Sequence, residues 1–316
     1  MTPSKDPKKI DFAVGGQAVI EGVMMRSPNS IVISVRKSDK TIKTQEKFYR
    51  TLTQRFRAIN IPILRGMVNL FEMMIVGFGA INFSANEFID EEPTTTKEDK
   101  PKSLTAKIGE VVMFAISIII AIAFSIFLFK FLPLWITTFL ETKFEAISSN
   151  YILFNIIDGI LKTTIFILYI YILSLFPSFK SIFEYHGAEH KAVFTYEASL
   201  PLTVENARKQ SRFHPRCGTS FVLIVFVISI LVYTLIPRQP DFTTNLLIRL
   251  AFLPFIAGVS YEYLKISARY CHKSWTHLFV APGLWLQRLT TKEPRDDQIE
   301  VALYSLQKAL DKEEKA

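Results

Sequence analysis

The sequence predicts a mainly α-helical polytopic membrane protein with about four transmembrane helices, a small N-terminal β-hairpin element and an interfacial helix. Three observations predict it. Of 316 residues, 49% are hydrophobic and 27 are Phe, and the apolar residues gather in long runs. Val111 to Phe129 and Cys217 to Pro237 carry no charge, and each is long enough for a hydrocarbon core about 30 Å thick. The surplus of Lys and Arg crowds into one loop between those runs, as on the cytoplasmic side of an inner-membrane protein.

The elements follow in order. Residues 11 to 48 read as β structure. Ile31 to Val35 and Thr41 to Phe48 flank the polar turn Lys37-Ser-Asp-Lys40 and predict a hairpin. Before it, Gly15, Gly16 and Gly22 surround Glu21, the one charge between Phe12 and Met25. Such glycines permit close approach of another segment, and a charge there needs a partner. Residues 62 to 89 open at Pro62 and read as a helix that lies in the interface or dips in as a re-entrant segment; Arg65 and Glu72 argue against a full crossing. Residues 90 to 109 are a polar linker. Residues 110 to 176 hold the first two spans. The second runs from Tyr151 to Phe176 and carries Asp158 and Lys162, one helical turn apart and able to pair. Residues 177 to 216 form a cytoplasmic loop. Residues 217 to 264 hold spans three and four, the fourth broken by Arg249, Pro254 and Glu262. In the C-terminal region, 265 to 316, Trp275 and Trp285 suit an interface-hugging segment. A last helix over 298–310 carries Ile299, Leu303, Leu306 and Leu310 on one face. No secretory signal is expected from the lysine-rich first ten residues.

The net charge of +8 does not point to nucleic acid. Lys180, Lys191, Arg208, Lys209, Arg212 and Arg216 all lie in the 177–216 loop, while the other loops carry few cations. This places both termini and the central loop in the cytoplasm. The partner so implied is the lipid bilayer. Basic flanks suit anionic lipid head groups as well, although orientation alone accounts for them. No protein partner is specified. The two cysteines, Cys217 and Cys271, have no framework spacing and no disulfide is expected.

The chemistry concentrates in His186-Gly-Ala-Glu-His190, an H-x-x-E-H sequence, in a chain with five histidines. On a helix, two residues four apart lie about 40° apart on one face and about 6 Å apart along the axis. Two imidazoles so placed can grip one divalent ion, zinc by preference, with Glu189 as general base. His214 and Cys217, in an H-x-x-C turn, are the nearest further donors. All four together would make a closed structural site; three would leave a position open for catalysis. Glu21, Glu197 and Glu262 are alternative ligands or supporting partners. Glu197 lies about 10 Å along a straight helix from His190, too far to share an ion. Glu262 could instead form a salt bridge to Lys265 or to a central-loop Arg.

Several blocks carry a family resemblance: Gly15-Gly-Gln-Ala-Val-Ile-Glu-Gly-Val-Met-Met-Arg26, Ile63-Leu-Arg-Gly66, His186-Gly-Ala-Glu-His-Lys191, His214-Pro-Arg-Cys-Gly-Thr-Ser220, and Pro282-Gly-Leu-Trp-Leu-Gln287 through Thr290-Thr-Lys-Glu-Pro294. Over about residues 11 to 312 the chain resembles the YqhQ-like bacterial membrane proteins of unknown function, often labelled predicted metal-dependent enzymes. The resemblance implies a bacterial inner-membrane protein and supplies no activity. Three functions stay open: a cytoplasm-facing zinc-dependent hydrolase, for which the motif order favours amide substrates; a non-catalytic assembly or regulatory factor with a structural metal; and metal transport or sensing.

Overall fold

The computed structural model describes residues 14–89, 104–237, 239, 241–269 and 276–315. The N-terminal strand β1 (Gly15–Val19) is followed by β2 (Gly22–Arg26), β3 (Ser30–Arg36) and β4 (Ile42–Phe48). Ten main helices follow: α1 (Leu64–Ile89), α2 (Leu104–Ile126), α3 (Leu132–Glu141), α4 (Tyr151–Ser174), α5 (Pro177–Glu197), α6 (Gly218–Thr234), α7 (Phe242–Ala251), α8 (Leu253–Arg269), α9 (Thr276–Thr290) and α10 (Asp296–Glu313). Most of the expected linker at 90–109 lies outside the described residues, as do Cys271, His272 and Trp275; the His277 side chain is likewise not described.

The chain divides into two compact units. The first joins three stretches remote in sequence, residues 1–92, 170–222 and 258–316. At its centre the expected hairpin is β3–β4, and the glycine block adds β1 and β2 to make a four-stranded antiparallel meander in chain order. Alternation along each strand builds two cores. Val14, Val23, Met25 and Val32 face α5 and α10, where they meet Tyr185, Ala188, Ile299 and Leu306. Val19, Met24, Ile31 and Ile33 face α1 and cover Ala80. Small hydroxyls fill the tight places on the α10 side: Ser30 Oγ donates to the Ala309 carbonyl at 3.0 Å and Ser305 Oγ to that of Val32 at 3.1 Å. The last helix, expected over 298–310, is thus the main cover of one sheet face. Asp296 and Asp297 sit in its first turn, where they favour the positive end of the helix dipole.

The second unit, residues 93–169 and 223–257, is apolar helix around one buried polar knot. Asp158 pairs with Lys162 at 3.2 Å, as their spacing predicts, and also with Arg249 at 2.6 Å. Arg249 donates further to Asn155 Oδ1 at 2.6 Å. Charge at membrane depth is costly unless partnered, so the two residues that most weaken the apolar pattern of spans two and four satisfy each other. A π-helical turn, Phe127–Phe131, joins α2 to α3.

Among the described residues three helices are long and apolar enough to cross a membrane: Leu64–Phe88, Val112–Glu141 and Tyr151–Ser174. The tally is four if α7 and Leu253–Ser267, bent by 42°, form one broken span. Two expectations bear on this tally. The run expected to cross at 217–237 is an apolar helix of 17 residues, at the lower limit of the lengths that span a bilayer. The helix expected to lie in the interface, α1, has the length and composition of a span. The two charges that set it apart are both engaged: Arg65 holds Glu262 through two bonds, one of them 2.7 Å, and Glu72 accepts the Leu52 N–H at 3.0 and 3.1 Å.

Candidate metal centre

The centre is built on α5, within the first unit. Its H-x-x-E-H sequence is helical, so His186 and His190 fall on one face with ring centroids 4.5 Å apart. Each imidazole is fixed from behind. His186 Nδ1 lies 2.8 Å from the carbonyl oxygen of Thr290, and His190 Nδ1 lies 2.5 Å from that of Arg212. A carbonyl can only accept, so both Nδ1 atoms carry hydrogen and both Nε2 atoms face forward. Cys217 enters from the start of α6, its Sγ 3.2 Å from His186 Nε2. One donor atom from each of His186, His190 and Cys217 lies within 4.8 Å of the other two. Two imidazoles held by carbonyls and one thiolate are a donor set suited to zinc.

Electrostatics favour the ligand form of the cysteine. Burial by itself pushes the Cys217 thiol up, but the imidazoles of His186 and His190 outweigh it and hold the thiol well below its usual range. Thr219 N–H adds a bond to the sulfur at 3.4 Å, at the N-terminus of α6. For His186, burial alone disfavours the charged ring; the Cys217 sulfur and the Glu189 carboxylate prevail and raise it to about 9. Glu189 Oε2 stands 3.5 Å from His190 Nε2, beside the donor group and not behind it.

The other expected ligands have different employment. His214 is buried, and its ring centroid lies 5.6 Å from that of His190. Its Nδ1 accepts the Arg216 N–H at 3.3 Å, leaving Nε2–H to donate to Glu197 at 3.3 Å. Both nitrogens are therefore committed, and burial with the neighbouring His190 lowers this ring to about 4, keeping it neutral. Glu197 is the counter-ion of Arg216. Glu262 pairs with Arg65, and the charge of Lys265, the expected partner, adds to that attraction. Glu21, expected as an alternative ligand or a supporting partner, sits in the β1–β2 turn with φ 47° and accepts the Ser181 hydroxyl at 2.7 Å.

Parts of the support were not foreseen. Gln287 is wholly buried; it accepts the His214 N–H and donates to the His214 carbonyl, both at 2.7 Å. That clamp sets the turn that delivers Cys217. Gly187 lies directly against the Lys292 carbonyl, with no room for a Cβ. This close approach brings the Thr290 carbonyl to His186. Gly16 on β1 does the same on the other flank, its absent Cβ falling 3.1 Å from Glu189 Cγ. Gly16 was marked by its glycine-rich stretch; for Gly187, Gln287 and Thr290 the blocks that carry the family resemblance were the one sequence signal.

The donors open on a cleft of about 1280 Å³, which runs past Gly15 and Gly16 to Arg26, Arg65 and Met73. The chain matches the family described as "Protein of unknown function (DUF1385)" over residues 61–312. It belongs to that family. It is also similar to the "Uncharacterized protein YqhQ" of Bacillus subtilis (strain 168), 34% identical over 307 residues, 96% of this chain and 93% of the relative. No solved structure matches it.

Proposed function

We propose that the protein is a metal-dependent hydrolase of the bacterial cytoplasmic membrane, with its site facing the cytoplasm and both termini on that side. His186, His190 and Cys217 would hold the divalent ion, zinc by donor type, and Glu189 would act as general base. One observation carries the reading: two backbone carbonyls fix both imidazoles so that their Nε2 atoms converge on the Cys217 sulfur. An ion held there supplies Lewis acidity to a substrate carbonyl. Glu189, beside the donors, is placed to take a proton from water as the water oxygen adds to that carbonyl. The same carboxyl then returns the proton to the leaving group.

A structural metal would call for a fourth protein donor. His214, the nearest imidazole, has both nitrogens engaged, and the donors face an open cleft. Both facts favour catalysis over a closed structural site.

Metal analysis of the purified full-length protein tests the reading. About one zinc per chain is expected, falling below a tenth of that in the His186→Ala, His190→Ala double variant. Glu189→Gln should keep the zinc and lose hydrolysis by at least 100-fold. An unchanged metal content in the double variant would refute the site.

A further inference from the structure

The far end of the cleft holds a guanidinium that the fold has not paired. Arg26 closes β2, and among the described residues no carboxylate lies within ion-pair distance of it. Its Nη1 donates to the Met73 thioether at 2.9 Å, and its Nε is buried without a partner. Glu72, on the helix that packs over it, is turned to the Leu52 N–H. Arg26 is half-buried, its guanidinium 5.9 Å from the centre of the Tyr49 ring; without a carboxylate it keeps donors to offer, and guanidinium is the side chain best matched to phosphate oxygens.

The position of Arg26 relative to the metal donors follows from strand register. Arg26 is the cross-strand partner of Gly15. Gly16, the next residue, abuts Glu189 at 3.1 Å from its absent Cβ. Successive strand residues face opposite ways, so Arg26 points to the α1 face and Gly16, against Glu189, to the α5 face; the one cleft that both Arg26 and Glu189 line runs round the edge of β1 at Gly15. Nothing stands within 4 Å of where a Gly15 Cβ would be, so the sheet edge between them is an open sill.

The wall of this passage is α1. It presents Arg65, Asn69 and Met73 to the cleft. On its other side Phe71, Met74, Ile75 and Phe78 are all exposed, Phe71 at 68%. A helix this apolar, in a chain with spans of its own, has the bilayer as its natural cover. One wall of the cleft therefore fronts lipid while its floor carries a guanidinium with no carboxylate partner among the described residues.

Building on the hydrolase reading, we infer that the substrate is an anionic amphiphile drawn from the membrane, its phosphate seated on Arg26 and its reacting bond reaching past Gly15 to Glu189. The phosphate can come from a lipid headgroup or from free phosphate, and the acyl-facing wall selects the lipid.

Calorimetric titration of the full-length protein in phosphatidylcholine nanodiscs separates these. The probes are dihexanoyl phosphatidic acid, uncharged dihexanoylglycerol and inorganic phosphate. Saturable binding of the phosphatidic acid is expected, at least tenfold tighter than either of the other two. Arg26→Gln should weaken it at least tenfold, Arg26→Lys should restore part of it, and Gly15→Phe, which blocks the sill, should abolish it. Metal content in these three variants should equal wild type. The His186→Ala, His190→Ala variant should lose metal and keep lipid binding, so that failure of the metal site and failure of the seat are read separately. Unchanged binding in Arg26→Gln overturns the seat. Inorganic phosphate binding as tightly as the lipid overturns the amphiphile.

Discussion

Gly187→Ala is the sharpest test of how the centre is held. Gly187 lies between the two histidines, and an added methyl would meet the Lys292 carbonyl oxygen inside van der Waals contact, with Pro294 Cδ at 3.3 Å. The opposing atom is backbone and cannot rotate away. To regain ordinary separation the 290–294 segment must retreat by about 1 Å. Thr290 belongs to that segment, and its carbonyl holds His186 Nδ1 at 2.8 Å; a retreat of that size stretches the bond past the usual hydrogen-bond range. Overpacking costs about 1–3 kcal/mol, offset by about 1 kcal/mol of helix propensity gained by Ala over Gly, so a net loss of up to about 2 kcal/mol is expected. Losing the carbonyl that orients a metal-binding imidazole costs 10–100-fold in affinity. Competition of purified protein with a zinc chelator reads the affinity, and thermal unfolding reads the stability. Gly79→Ala is the control, since it is exposed with nothing within 4 Å of the new methyl. If Gly187→Ala keeps both wild-type stability and wild-type zinc affinity, the backbone clamp on His186 is not what positions it.

Two further outcomes are expected. Glu197→Gln leaves the largely buried Arg216 and the His214 ring without their shared carboxylate; breaking such a pair costs about 3–5 kcal/mol, seen as a lowered unfolding temperature, whereas an unchanged temperature would mean the pair is solvated. Reporter tags at residue 5, near residue 200 and at the C-terminus should all report the cytoplasm, since Lys and Arg gather in the 177–216 loop; an external signal near residue 200 would place the cleft on the other face.

Much of the site was legible in the sequence because it depends on helical spacing. The four-residue spacing of His186 and His190 fixes their common face whatever else packs there. The β3–β4 hairpin followed from alternation about Lys37–Lys40, and the Asp158–Lys162 pair from a one-turn spacing. Tertiary structure decided what each donor does. His214 and Cys217 are three residues apart and equally plausible as ligands, yet the Glu197 carboxylate and the Arg216 N–H take both nitrogens of one while the other is left facing His186. The groups that orient the imidazoles are the carbonyls of Thr290 and Arg212, which every residue possesses and no side chain announces. The nature of α1 was hidden for a related reason: Arg65 and Glu72 read as charges that would keep it out of lipid, until Glu262, 197 residues away, and the Leu52 N–H supplied their partners. Periodicity is local and survives in the sequence. The partner that satisfies a charge or claims a lone pair is chosen by chain segments far away, and only packing brings it into reach.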